Sequence, residues 1–300
     1  MCAYAHDEKL FRKLIFPAKV FIGDIMKKAS LIKITFAAAA FAAAGAAFAE
    51  DGRAVIEKVL NVKKPAYNHS LIKMDLIAKN GSIEESREIE EYGRHNAQTD
   101  TSDVVIIFKN STNKGNINTR FLQMEKKNAD DDKWIYLPAL RNTRRVNSSE
   151  GDKSFTGTDA TYDDMSTREL DDDTHELLKE EQKNGFGCYV VKSTPVNASK
   201  AQYKYRIQWI DKATYVPVYA EMYDKKDGSL LKVLTVEKLK NIGGYNIPMS
   251  NVLKNVQTGH STRIAITQRK DANGNALDNI VLDKPIPDRV FTQSFLNTGK

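Results

Sequence analysis

Between residues 202 and 210 the chain reads QYKYRIQWI. Tyr203, Tyr205, Ile207 and Trp209 alternate with Lys204, Arg206 and Gln208. A period of two sends the first set to one face of a strand and the second to the other. That is the pattern of antiparallel sheet with one apolar and one wet face.

The same grammar recurs along most of the chain. LIKMDLIAKNGS (71–82) and SREIEEYGRH (86–95) read as two strands around Asn80-Gly81, a dipeptide suited to a tight hairpin. DVVIIFK (103–109), INTRFLQMEK (117–126) and KWIYLP (133–138) follow. After QYKYRIQWI come two strands flanking Asp227-Gly228, then GGYNIPMSNVLKNV and HSTRIAITQ. DANGN (271–275) lacks the ligand-and-glycine register of a calcium loop and reads as another turn. The tail VFTQSFL (290–296) reads as a short edge strand or helix.

Two segments carry a helical pattern. In DGRAVIEKVLN (51–61), Ala54, Val55, Val59 and Leu60 fall at helical spacing behind a capping Asp51. In DMSTRELDDDTHELLKEEQKNG (164–185), a helix is expected over 173–183, ended by Asn184-Gly185. The fold class expected is mainly β with some α: an incomplete antiparallel β-barrel of about ten or eleven strands wrapped around a few helices. Its interior is either filled by side chains or left as an apolar cavity.

Residues 26–49 (MKKASLIKITFAAAAFAAAGAAFA) have the layout of a secretory signal peptide. Lys27, Lys28 and Lys33 precede an apolar run, and Ala47-Phe48-Ala49 offers a cleavage point before Glu50. The run is short for a membrane span. No cysteine sits at the cleavage point, so no lipid anchor on the mature chain is expected. Residues 1–25 are expected to be a mis-assigned upstream extension, with translation starting at Met26. The mature chain is then a single domain, 50–300, in the periplasm.

The charge balance changes with the leader. The full sequence has 45 Lys plus Arg, 39 Asp plus Glu and a net charge of +6; removing the seven basic and three acidic residues of 1–49 leaves 38 and 36. That remaining balance offers no sustained basic excess for nucleic acid. Cys188 is the one cysteine left, so no internal disulfide is expected; within GCYVV it reads as a buried thiol. HELLK (175–179) is one residue short of a zinc-protease helix, with Lys179 where the second histidine belongs. The other histidines of residues 50–300, His69, His95 and His260, are scattered, and neither a catalytic constellation nor a metal site is read here.

The unusual stretch is KWIYLPALRNTRRVNSSEGDKSFTGTDATYDDM (133–165), where Arg141, Arg144 and Arg145 crowd against Trp134, Tyr136 and Leu137. It resembles the hallmark segment of the outer-membrane lipoprotein-sorting proteins, relatives of the LolA lipoprotein carrier. Members carry a similar W-x-Y-L-P-A-L run, paired arginines, then F-x-G-(S/T)-D and an aromatic-acidic pair. The matching positions are Trp134, Tyr136, Leu137, Pro138, Arg144, Arg145, Phe155, Gly157, Asp159, Tyr162 and Asp164. NGFGCYVV, WIDKATYVPVYAEMYDK, GHSTRIAI and FTQSFL extend the likeness over about residues 53–296. Thr158 and Ala160 depart from the serine and second aromatic often found there.

The resemblance implies a partly closed barrel with an apolar cavity that binds acyl chains of lipoproteins or lipids and moves them toward the outer membrane, without enzymatic activity. It also implies an inner-membrane transporter, of the resistance-nodulation-division type, and an outer-membrane acceptor as partners. The alternative is a lipid- or lipoprotein-sensing module acting on a partner protein. Trp134, Tyr136 and Leu137, with Tyr205 and Trp209, are expected in the apolar interior. Arg141, Arg144 and Arg145 are expected on or beside its mouth, meeting Asp159, Asp163 and Asp164 in a polar latch or receiving an anionic head group. Phe155 and Tyr162 complete the expected set.

Overall fold

The structure, a computed structural model, describes residues 51–300. The expected extension 1–25, the signal peptide 26–49 and the cleavage point after Ala49 lie outside the described residues. The first element is the expected helix, α1 (Gly52–Leu60). Its Asp51 carboxylate accepts from the Ala54 N–H at 2.7 Å, satisfying a donor that the first turn leaves free, and its Val55 and Ile56 are buried.

Strands β1 (Tyr67–Ile77), β2 (Ile83–Asn96), β3 (Thr101–Ser111), β4 (Arg120–Met124), β5 (Asp132–Leu137) and β6 (Asn142–Arg145) pair consecutively. The chain then runs through 146–172 without a strand of its own. A second meander follows: β7 (Asp173–Lys183), β8 (Phe186–Pro195), β9 (Tyr203–Asp211), β10 (Pro217–Asp224), β11 (Leu230–Ile242), β12 (Tyr245–Asn255) and β13 (Ser261–Ile266). A small hairpin, β14 (Gln268–Lys270) with β15 (Ala276–Asp278), precedes β16 (Ile280–Leu282) and the closing helix α2 (Gln293–Thr298).

Pairing of β1 with β13 joins the two meanders, and β16 adds to β1, giving one antiparallel sheet of 14 strands. Its edges are β6 and β7, neighbours in sequence at opposite ends of the sheet. The sheet does not close. Glycine turns set the hairpins where expected: Gly81 has φ +87° and Gly228 has φ +76°, conformations that carry no steric cost without a Cβ.

Two expectations are corrected. The helix expected over 173–183 is strand β7. Asn184 (φ +51°) and Gly185 (φ +86°) both adopt left-handed backbone, which makes them a hairpin turn into β8 rather than a helix stop. Pairing with Val190 and Val191 overrides the helical propensity of the Glu, Leu and Lys residues there. The strand number also exceeds the expected ten or eleven, because β6, β14, β15 and β16 are too short to show alternation.

Alternation sorts the core onto two faces. On one face of the first meander, Met74, Ile89, Ile106, Phe108, Phe121 and Ile135 are buried with Phe155 and Tyr162 from the crossing segment. On the other, Val105, Ile107 and Leu122 are buried under Val290, Phe291, Phe295 and Leu296 of the C-terminal segment. In the second meander, α1 packs Val55 and Ile56 on Val191 and Ile210. Among the described residues, no helix is long and apolar enough to cross a membrane.

Candidate functional site

Because β6 and β7 are opposite edges, residues 146–172 must travel across the sheet. They form a strap over one face. Within it, residues 154–161 fold into a minimal hairpin: Ser154 bridges Thr161, and Phe155 N–H donates to Ala160 O at 2.8 Å. Thr156 (φ +49°) and Gly157 (φ +85°) make its tip. A left-handed threonine is unfavourable by itself, since its branched Cβ crowds the backbone. Arg87 offsets this by donating to both the Thr156 carbonyl (2.7 Å) and its hydroxyl (3.1 Å).

The strap is fastened to both meanders. On the first, Arg87 holds the tip, and the buried Lys133 ammonium donates to Tyr162 O at 2.8 Å and Ser166 Oγ at 2.7 Å. On the second, Asp164 accepts from Lys232 Nζ at 2.8 Å and Tyr203 OH at 2.6 Å. Asp159 lies 2.8 Å from His260 Nδ1 and accepts from the Thr262 hydroxyl at 2.7 Å. Beyond the strap, Asp173 Oδ2 accepts from Arg168 and Arg206, each at 2.7 Å. Burial, then the neighbouring Asp164 carboxylate, pushes the Tyr203 phenol far above its ordinary range, so it stays a donor at any working pH.

Beneath and beside the strap lies a pocket of about 1560 Å³. Small-molecule sites run roughly 300–1,000 Å³, so this one is large enough for more than a single compact ligand. Its apolar lining comes from Ile72, Met74, Ile89 and Ile106 of the first meander, Val146, Phe155, Tyr162 and Met165 of the strap, and Ala220, Met222, Leu234, Leu253 and Ile264 of the second. Met74, Met165 and Met222 are unbranched and fit irregular contents. Polar residues share the lining: Glu91, Arg206, Gln208 and Asn251 from the sheet, with Asp130, Asp131, Asp163, Lys200, Lys225 and Lys226 among the charged groups. Among the described residues, no group of three or more His, Cys, Asp or Glu side chains is placed to hold a metal.

A protein-family model described as an uncharacterized protein matches residues 100–298. A domain assigned to outer membrane lipoprotein sorting, from Vibrio parahaemolyticus, is 25% identical with a TM-score of 0.71, covering 82% of this chain and 98% of its own. The chain belongs to the family that this model describes, and it resembles the outer-membrane lipoprotein-sorting proteins. A DUF1329 family protein from Desulfovibrio piger is 24% identical with a TM-score of 0.72, covering 82% of this chain and 97% of its own. A LolA superfamily protein from Nitrosomonas europaea shares the fold at 16% identity and a TM-score of 0.57, covering 82% and 99%. No curated protein matches by sequence.

With the family's segment in place, its residues separate into two groups. Phe155, Tyr162, Asp164, Tyr205 and Arg145 line the pocket. Leu137 packs beside the aromatic cluster of Phe121, Phe155 and Tyr162 on the same face, where ring centroids stand 5.0–5.9 Å apart. Asp159 ties the strap to β13. Trp134 and Tyr136 face the other way and pack against the C-terminal segment, so they do not enter the pocket. Neither does Trp209, which is buried with Cys188, Val190 and Val218. The reason is parity: Trp134 and Tyr136 alternate with Ile135, and Ile135 takes the strap side.

The latch expected of the arginines is also different. Arg144 pairs with Glu150 at 2.9 Å and Arg145 pairs with Asp132, while Asp159 and Asp164 find His260, Thr262, Lys232 and Tyr203. Arg87, absent from the expected set, is the buried arginine of the site. Its charge is met by Glu85 at 2.7 Å and its guanidinium lies 5.1 Å from the centre of the Phe108 ring. Burial alone would raise the Glu85 carboxyl, but hydrogen bonds from Arg87, Ser111 and Asn116 hold it down to about 2. The Cys188 thiol is pushed up to about 11 by burial, which leaves it unreactive.

Proposed function

We propose that this chain is a periplasmic carrier that binds acyl chains of lipids or lipoproteins and moves them toward the outer membrane. On this reading the mature protein is residues 50–300, exported by the leader at 26–49. It receives cargo from an inner-membrane transporter and passes it to an outer-membrane acceptor. The observation that carries the proposal is the pocket of about 1560 Å³ between sheet and strap, to which both meanders and the strap contribute isoleucine, leucine or methionine. The name of the Vibrio parahaemolyticus domain, lipoprotein sorting, supports the same reading.

A carrier must rival the membrane it takes cargo from. Each buried methylene is worth about 0.8 kcal/mol, so two or three acyl chains need a large apolar surface. It must also let go. A cover fastened by hydrogen bonds and ion pairs suits this, because water replaces those contacts when the cover lifts and the net cost of each is about 0.5–1.5 kcal/mol.

The test is native mass spectrometry of the full chain, expressed with its leader and purified from the periplasm without detergent. The expected result is an adduct of phospholipid or acylated-peptide mass that organic extraction removes. A bare protein that takes up neither on incubation would sink the proposal and favour a packed sensing module instead.

A further inference from the structure

The floor of the pocket holds a carboxyl group that the strap does not use. Glu91 lines the pocket from β2. It pairs across the sheet with Ser70 and with Ile106, and its neighbour on the same face of β2 is Ile89. Asn68, two pairs along on β1, lies over Gly93, where an added Cβ would come within 3.0 Å of its side-chain amide. That glycine makes room for Asn68 to reach Glu91.

Asn68 leaves an acceptor without a donor, and Glu91 takes a single hydrogen bond, from Asn68. Among the described residues no cation pairs with Glu91. Lysine and histidine contacts on this strand go instead to Glu90, on the opposite face: Lys109 Nζ at 3.0 Å and His69 Nε2 at 2.9 Å. The one hydrogen bond that favours the ionised Glu91 comes from Asn68, and burial outweighs it, raising the carboxyl above its ordinary range. With its amide nitrogen turned to Glu91, Asn68 presents its carbonyl oxygen, which is buried and has no hydrogen-bond partner. A buried acceptor left unpaired is costly. Of the pair it is Glu91 that lines the pocket, and its carboxyl has room for a further donor from outside the protein.

We propose that Glu91, held from behind by Asn68, forms a polar subsite that receives an N–H donor of the cargo, a primary ammonium or a secondary amide next to its acyl chains. The inference rests on the carrier reading and adds a selectivity to it. Both groups present hydrogens on nitrogen, and methylation removes them while leaving the chains unchanged. An ammonium is met by the ionised carboxylate; an amide N–H is met by a Glu91 carboxyl oxygen in either protonation state.

The experiment uses two matched pairs of probes with the periplasmic protein after removal of bound lipid. One pair is phosphatidylethanolamine and phosphatidylcholine of identical chains, mixed equally in one vesicle. The other is N-palmitoylglycine methyl ester and its N-palmitoylsarcosine counterpart, which lacks the amide hydrogen. Native mass spectrometry reads the ratio bound. A preference of about fivefold or more for the N–H partner in either pair, lost in Glu91→Leu at undiminished total loading, is the expected result. The pair that shows it identifies the donor as ammonium or amide. Glu91→Gln, which keeps the shape, is expected to lose the ammonium preference alone. Equal uptake within both pairs, or a preference that survives Glu91→Leu, overturns the subsite and leaves the carrier standing. Uptake of no probe at all sinks the carrier reading and the subsite with it.

Discussion

The sheet wears a different cover on each face. On one, Val290, Phe291, Phe295 and Leu296 are buried against Val105, Ile107 and Leu122, an apolar seam with side chains in contact throughout. On the other, the strap 146–172 buries Val146, Phe155 and Tyr162 and adds fastenings from charged and hydroxyl groups, with the pocket beneath. The first cover is made as a core is made, by removing apolar area from water. The second adds discrete polar contacts to its buried aromatics, such as Arg87 to Thr156 and Lys232 to Asp164. Only the second leaves space beneath it.

Breaking the apolar cover should have the largest effect on stability. Phe291 is 2% exposed, and Phe291→Ala is expected to cost about 3–5 kcal/mol through lost burial and a residual cavity. Chemical denaturation should show the full loss, while lipid uptake measured well below the new midpoint stays at the wild-type level. If uptake falls in proportion to stability, the two covers are not independent.

Arg87→Leu comes next and strikes the strap. Truncating one member of a buried ion pair costs about 3–5 kcal/mol in general, but here Glu85 retains Ser111 and Asn116 as donors, which puts the expected loss nearer 3. Because the Thr156 tip is released as well, lipid uptake should change in rate even where the protein remains folded. An unchanged uptake rate would reduce the strap to a staple.

How far this division was visible in the sequence depends on the element. Alternation in QYKYRIQWI and the Asn-Gly and Asp-Gly turns marked the antiparallel meanders, because side-chain parity and left-handed turn residues are local properties. The same dipeptide misled at Asn184-Gly185, where flanking glutamates suggested a helix and only pairing with β8 shows a hairpin. Parity also says that Trp134 and Ile135 face opposite ways, yet not which way is the pocket. That is decided by where the strap crosses, and the crossing follows from β6 and β7 lying at opposite edges. Arg87, Glu91 and Asn68 were hidden among ordinary strand polar residues. A charged or amide residue on the buried parity of a strand, as at Arg87 between Glu85 and Ile89, was the available signal.

The pH dependence of stability should separate the covers next. Glu85 is held down to about 2 in the folded protein against an ordinary value of 4.5. A depressed carboxyl contributes stability that is present above its unfolded value and is lost as pH falls through the folded one. Stability should therefore decline between about pH 4.5 and 2, and Glu85→Gln should flatten that decline. The apolar cover has no comparable group in its seam, so Phe291→Ala should shift the whole curve down without altering its shape. A flattened curve in Phe291→Ala would mean that the acid response belongs to the C-terminal segment.

The smallest effect should come from the residues that looked most telling in the sequence. Arg144 and Arg145 are 40% and 59% exposed at their side chains, and their partners Glu150 and Asp132 are themselves close to water. Exposed pairs are worth about 0–1 kcal/mol. Asp132 also keeps Lys126 at 2.6 Å when Arg145 is removed, and Glu150 keeps the Asn147 N–H at 3.2 Å when Arg144 is removed. Arg144→Ala with Arg145→Ala should lower the denaturation midpoint by an amount within that range. Because Arg145 lines the pocket, the same double variant reads its surface role separately: uptake of an anionic lipid should weaken more than uptake of a zwitterionic one of equal chains. A large drop in stability would instead place the paired arginines with Arg87 among the fastenings of the strap.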